Sequence, residues 1–274
     1  LFNIALQEGN VDEARQYLDK AFVDPDVALF AALSISQLLG DYELANEQLG
    51  ALIQKFPKRV QLRLAQAILA LDMQDSELLD QAMKWLSDHL QVLNAQGSLL
   101  YVQLLATQGK GAYARSVAEV ALRKSPNHIG LHEFLLRADV SHGFRDKAIT
   151  RVRQLLSLDP KNAYGLLILG TVHFEAGDYA LAKASFQQSI ERETTLAALN
   201  SLSYVKHLLG ENKSALILVE RALAISPDDP DALDTKGMIL LDLGRLEEAE
   251  KLLLSSIKLQ PRNMIFYYHL ALIY

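Results

Sequence analysis

The chain has 274 residues, half of them apolar, with a net charge of -6 and no cysteine. The acidic balance argues against nucleic acid and against an anionic membrane surface, both of which call for faces rich in Lys and Arg. Without cysteine there is no disulfide, thiolate metal site or cysteine nucleophile, and the cytosol and a bacterial periplasm suit the chain equally.

In chain order, Leu1 to Leu6 already reads as helix, and Gly9 and Ala14 open a pair of markers that recurs. Gly40, Gly109, Gly143, Gly177, Gly210 and Gly244 continue the first marker. Ala45, Ala114, Ala148, Ala182, Ala215 and Ala249 each follow one of them by five residues. Pro57, Pro126, Pro160, Pro227 and Pro261 lie 17 residues after a glycine, and Thr194 holds that place in the repeat without proline. Pro126 to Pro160 and Pro227 to Pro261 are both 34 residues, so three markers share one period. This divides the chain into 26–59, 60–94, 95–128, 129–162, 163–195, 196–229 and 230–263, with partial repeats 1–25 and 264–274. Repeat 60–94 is degenerate: Met73-Gln74-Asp75-Ser76-Glu77 replaces the glycine turn and no proline follows.

Each marker has a physical reason. The glycine ends a first helix in the left-handed conformation. The second helix then starts, as at Asp41-Tyr42, Asp178-Tyr179 and Arg245-Leu246. The alanine sits where two helices approach closely. The proline stops the second helix, and Asp228-Asp229 or Lys161-Asn162 caps the next first helix. One hairpin cannot bury its own apolar face, so the hairpins must stack.

This pattern resembles the tetratricopeptide repeat family along the whole chain. The fullest match is Leu166, Leu169, Gly170, Gly177, Tyr179, Ala182, Phe186 and Ser189, followed by Leu233, Gly237, Gly244, Ala249, Leu253, Ser256 and Pro261. The resemblance implies an all-α fold: a single right-handed superhelical solenoid of antiparallel two-helix hairpins, with about seven full repeats and a partial one at each end. Tyr267 to Tyr274 stops inside an apolar helical pattern, as does the start, which predicts a piece excised from a longer protein.

The resemblance also implies a concave groove lined by positions 2, 5, 9, 12 and 13 of each repeat. Those positions include Gln61, Leu64, Ile68 and Gln96 early in the chain and Asp231, Asp234 and Tyr268 late in it. The middle stretch carries the candidate partner-binding residues: Glu133, Arg137, Tyr164, Thr171, Phe174, Asn200, Tyr204 and His207. Tyr and Arg are favoured in binding hot spots, and Asn200 suits a peptide backbone. Family members that clamp a chaperone's terminal carboxylate place Lys and Asn at positions 5 and 9. Here those pairs read Leu99/Gln103, Leu167/Thr171 and Asn200/Tyr204, which does not match.

No phosphate loop, metalloprotease motif or nucleophile elbow is present, so no catalytic residue, metal site or cofactor is expected. His128 and His132 share a helical spacing but have no third ligand, and read as surface histidines. Asp228, Asp229, Asp231 and Asp234 read as helix caps and dipole partners rather than a cation site. Trp85 reads as core between repeats.

The sequence therefore predicts a non-catalytic scaffold for a protein or peptide partner. A second reading is the recruiting part of an enzyme whose catalytic domain lies elsewhere. In style, the Leu/Ala-rich repeats with Leu158-Asp159-Pro160 linkers resemble bacterial proteins of envelope and exopolysaccharide assembly and export. The apolar ends leave room for a homodimer.

Overall fold

The computed structural model describes residues 41–274. The partial repeat 1–25, the first helix of 26–59 and the markers Gly9, Ala14 and Gly40 lie outside the described residues. The described residues are all-α, built from antiparallel helical hairpins.

Helix α1 (Tyr42–Lys55) precedes the hairpins α2 (Val60–Asp72) with α3 (Ser76–Asp88) and α4 (Ala95–Thr107) with α5 (Gly111–Lys124). Next come α6 (Ile129–Ser141) and α7 (Arg145–Leu158), then the hairpin of α8 (Ala163–Glu175) with α9 (Tyr179–Arg192). The rest are α10 (Leu196–Leu208) with α11 (Asn212–Ile225), α12 (Pro230–Asp242) with α13 (Leu246–Leu259), and the single helix α14 (Met264–Ala271). The main packing joins helices that are adjacent or next but one in this order. Two compact units result, divided between Ala138 and Asp139 within α6.

Both kinds of turn follow from the markers. Gly109, Gly143, Gly177, Gly210 and Gly244 all have positive φ, between 69° and 83°. The amide three places beyond each first helix then reaches back five residues, as in Lys110 N to Leu105 O at 2.9 Å and Glu211 N to Lys206 O at 2.8 Å. Second helices that start from this turn lack a side-chain cap, since the glycine turn already fixes their start. Most first helices rely on polar caps instead, α2 after Arg59 being the exception. Asn94, Asn162 and Asp229 accept from the amides of Gly97, Gly165 and Ala232 at 2.7, 2.9 and 2.9 Å.

The degenerate repeat forms the same turn by other means. Gln74 occupies the glycine's place with φ 56°, and Asp75 N still reaches Ala70 O at 2.9 Å. Asp75 then caps α3, accepting from Glu77 N and Leu78 N at 3.1 and 3.0 Å. In place of proline, a 3₁₀ turn (Leu90–Val92) leads into α4.

In the first unit, Leu49, Leu52, Leu62 and Leu69 form one core cluster, and Leu64, Leu86, Tyr101, Val102 and Leu135 belong to another. Trp85 is partly buried against this second cluster, stacked on His89 at 4.0 Å, with the Arg63 guanidinium 5.5 Å from its ring. In the second unit, Leu199, Val219 and Ile239 form one cluster and Phe186, Leu202 and Val205 another. Each such side chain gains about 1.5–3 kcal/mol by leaving water. Phe186 lies against Gly170 so closely that a Cβ there would sit 2.5 Å from the ring. The fully buried Asp139 carboxylate accepts from Arg151 Nε at 2.8 Å, an ion pair that would cost about 3–5 kcal/mol to break from one side.

The expectation that His128 and His132 are both surface residues is corrected. His132 is buried, with Nε2 2.7 Å from Pro126 O, and His128 Nδ1 accepts from Leu131 N at 3.2 Å as the cap of α6. Both rings are held by backbone groups. No cluster of three metal-binding side chains occurs among the described residues.

A candidate peptide groove

In the second unit the first helices α8, α10, α12 and α14 line one groove of about 500 Å³. Spacing explains the lining. Leu196, Ala197, Asn200, Ser201 and Tyr204 fall on one face of α10, and Asp231, Asp234 and Thr235 on one face of α12. Phe174 contributes from α8, and Ile265, Phe266 and His269 from α14.

One wall is aromatic. The Phe174 ring lies 5.7 Å from Tyr204 and 5.7 Å from Tyr179, tilted to both. Burial pushes the Tyr204 hydroxyl pKa upward, with Asp234 and then Tyr179 adding to it, so the hydroxyl is neutral and able to donate. Beside it, the Asn200 Oδ1 is shielded from water and has no hydrogen-bond partner. A buried acceptor left unpaired costs about 1–3 kcal/mol.

The other wall is acidic. Asp229 Oδ1 accepts from Ala232 N at 2.9 Å, which bears out the capping role read from the sequence for that residue. Asp234 is buried, and both its oxygens face His269 Nδ1, at 2.9 and 2.8 Å. The third carboxyl, Asp231, stands at the exposed rim. Partial shielding, then Asp229 and Asp234, hold its pKa above the usual carboxylate range.

Of the candidate residues, Phe174, Asn200 and Tyr204 meet in this groove. Tyr164 and Thr171 are half-buried on α8 outside its lining, and Thr171 Oγ1 donates to Leu167 O at 3.1 Å. His207 is buried, with Nδ1 2.9 Å from Asn212 Oδ1 and 3.5 Å from Asp242 Oδ2, so its ring is held in place by neighbours. Glu133 and Arg137 lie on the part of α6 that belongs to the first unit. The acidic wall was not selected from the sequence, because caps at helix starts look alike whether or not they face a groove. The register did hold a signal: Asp234 and His269 are 35 residues apart, close to one repeat, on successive first helices.

The first unit has a groove of its own, of about 740 Å³, along α2 and α4. Gln61, Leu64, Ile68 and Gln96 line it, as the repeat positions imply, together with Lys58 and Arg59.

Stacked two-helix hairpins with grooves on the first-helix side define a helical-repeat protein. Residues 135–193 and 169–230 match one tetratricopeptide repeat profile and 230–263 another, so residues 135–263 are tetratricopeptide repeats. No curated protein matches the chain. Among solved structures, the APC/C hetero-tetramer Cut9-Hcn1 aligns over 97% of this chain and 59% of its own, at 16% identity and a TM-score of 0.66. A tetratricopeptide repeat protein from Parabacteroides merdae aligns over 93% of this chain and 99% of its own, at 16% identity and 0.58. YrrB, described as having an unusual peptide-binding site, covers 68% of this chain and 95% of its own, at 18% identity and 0.50. Likeness at these identities is one of fold.

Proposed function

We propose that the chain is a protein-interaction scaffold that holds an extended peptide segment of a partner in the groove of its second unit. The observation that carries this reading is Asn200. An amide oxygen shielded from water and left unpaired costs stability in the free protein, and turning the Asn200 amide into the groove lets a backbone N–H laid along α10 supply the missing donor. Phe174 and Tyr204 beside it offer a partner apolar area together with a hydroxyl, a combination favoured at binding hot spots. Among the described residues no helix is long and apolar enough to cross a membrane.

The test is selection of short peptides from a random library on the full chain, followed by affinity measurement against Asn200→Ala and Tyr204→Ala. Asn200→Ala is expected to melt no lower than the parent while binding the selected peptides about tenfold more weakly, which corresponds to about 1.4 kcal/mol. Unchanged affinity in both folded variants would rule out this groove.

A further inference from the structure

From the charge of this groove we infer that its occupant is an extended peptide carrying a basic side chain, which lies over Asp231 with the aromatic wall beside it. The inference rests on the groove reading above and names the partner's chemistry.

Three carboxylates and no Lys or Arg line the groove. The one imidazole in the lining, His269, is already engaged with Asp234. Asp229 has given one oxygen to its helix cap. Among the described residues Asp231 has no side-chain hydrogen bond or ion pair, and the charged groups that act on it are the like carboxylates Asp229 and Asp234, which raise its pKa. The lysines on the lining helices α10 and α12 are engaged elsewhere: Lys236 pairs with Glu220 at 3.1 Å and Lys206 with Glu211 at 2.6 Å. The carboxylate atoms still open, together with the shielded Asn200 Oδ1, all accept, so the complementary ligand donates and is positively charged. A guanidinium or ammonium over Asp231 relieves the repulsion among the carboxylates, and the faces of Phe174 and Tyr204 suit the same cation. A basic side chain of the partner satisfies both walls at once.

The experiment uses the full chain and three pools of short random peptides that differ only in a fixed central residue, Arg, Gln or Glu. Binding is read by fluorescence anisotropy at low and high salt for wild type, Asp231→Asn and Tyr204→Ala. Asp231 is exposed, so its variant keeps the fold, and a melt confirms that. The expected result is that the Arg pool binds about fivefold to tenfold more tightly than the Gln pool and the Glu pool most weakly. The preference should shrink at high salt and vanish in Asp231→Asn, while Gln-pool binding persists. Equal binding of the three pools, lost in Tyr204→Ala, would overturn the charge inference and leave the groove reading standing. No binding by any pool, or binding indifferent to Tyr204→Ala, would overturn both.

Discussion

The hairpins α2–α3 and α8–α9 reach the same conformation from different residues. In α8–α9 the turn uses Gly177, and Asp178 N bonds to His173 O at 2.9 Å; in α2–α3 Gln74 takes the left-handed place and Asp75 N bonds to Ala70 O at the same 2.9 Å. Seven residues before each turn residue stand Gly170 and Ala67; nine after it stand Phe186 and Met83, both buried. A rigid ring demands a partner without a Cβ, whereas a flexible thioether accommodates one. Ala182 is fully buried where its helix pair closes, and the corresponding Leu79 is only partly buried. What the repeat conserves is therefore a backbone conformation and a filled volume. The familiar residues are one solution to those two demands.

Four predictions sharpen or break that comparison. The largest effect is expected at the paired core positions. Phe186→Ala should lower stability by about 3–5 kcal/mol and Met83→Ala by about 2–3 kcal/mol, since the ring leaves the larger cavity. Chemical denaturation checks this, with Trp85, the only tryptophan, reporting the first unit and circular dichroism the whole chain. A Met83→Ala loss as large as that of Phe186→Ala would mean the two volumes are not handled differently.

Next in size is the close approach itself. Gly170→Ala should cost about 1–3 kcal/mol by pressing on Phe186, and the double variant with Phe186→Met should recover most of it. Smaller again, and opposite in sign between the hairpins, are the turn changes. Gln74→Gly should stabilise by about 0.5–1 kcal/mol, whereas Gly177→Gln should destabilise by about 1–2 kcal/mol. Equal signs would show that the two turns differ in more than the residue at positive φ.

The smallest effect belongs to a device that α2–α3 lacks. Glu211 accepts from Lys183 and Lys206 at 2.5 and 2.6 Å, and these bonds draw its pKa down to about 2 from an ordinary 4.5. A carboxyl lowered in the folded state stabilises above pH 4.5, and that contribution disappears as pH falls toward about 2. The network is half exposed, so the effect is about 0.2–1 kcal/mol. Glu211→Gln should flatten the acid limb of the melting curve between those values and leave α2–α3 unaffected.

The sequence revealed the hairpins because glycine at a positive-φ turn and proline after a helix are backbone constraints that few other residues meet. It did not reveal that Gln74 would adopt the same turn, because nothing local distinguishes a glutamine under tertiary constraint from one in a helix. For the groove, the repeat positions that the family resemblance implies located Phe174, Asn200 and Tyr204 on α8 and α10. The same repeat positions also offered Thr171, whose hydroxyl bonds back to its own helix, and His207, which is buried against Asn212. Position on a face is readable from a sequence. Whether a side chain on that face points outward or turns to a neighbour depends on packing that a single repeat does not contain. The acidic wall shows the complementary blind spot, since Asp229 caps a helix and lines a groove at once.

Because the main packing among the described residues joins helices adjacent or next but one in sequence, no distant segment must be found before such a hairpin can close. Few contacts of long sequence separation mean low loop-closure entropy and rapid folding, with nucleation open to any hairpin rather than confined to one. On the ribosome, such a chain can consolidate hairpin by hairpin as it emerges, so that little apolar surface waits for residues not yet synthesised.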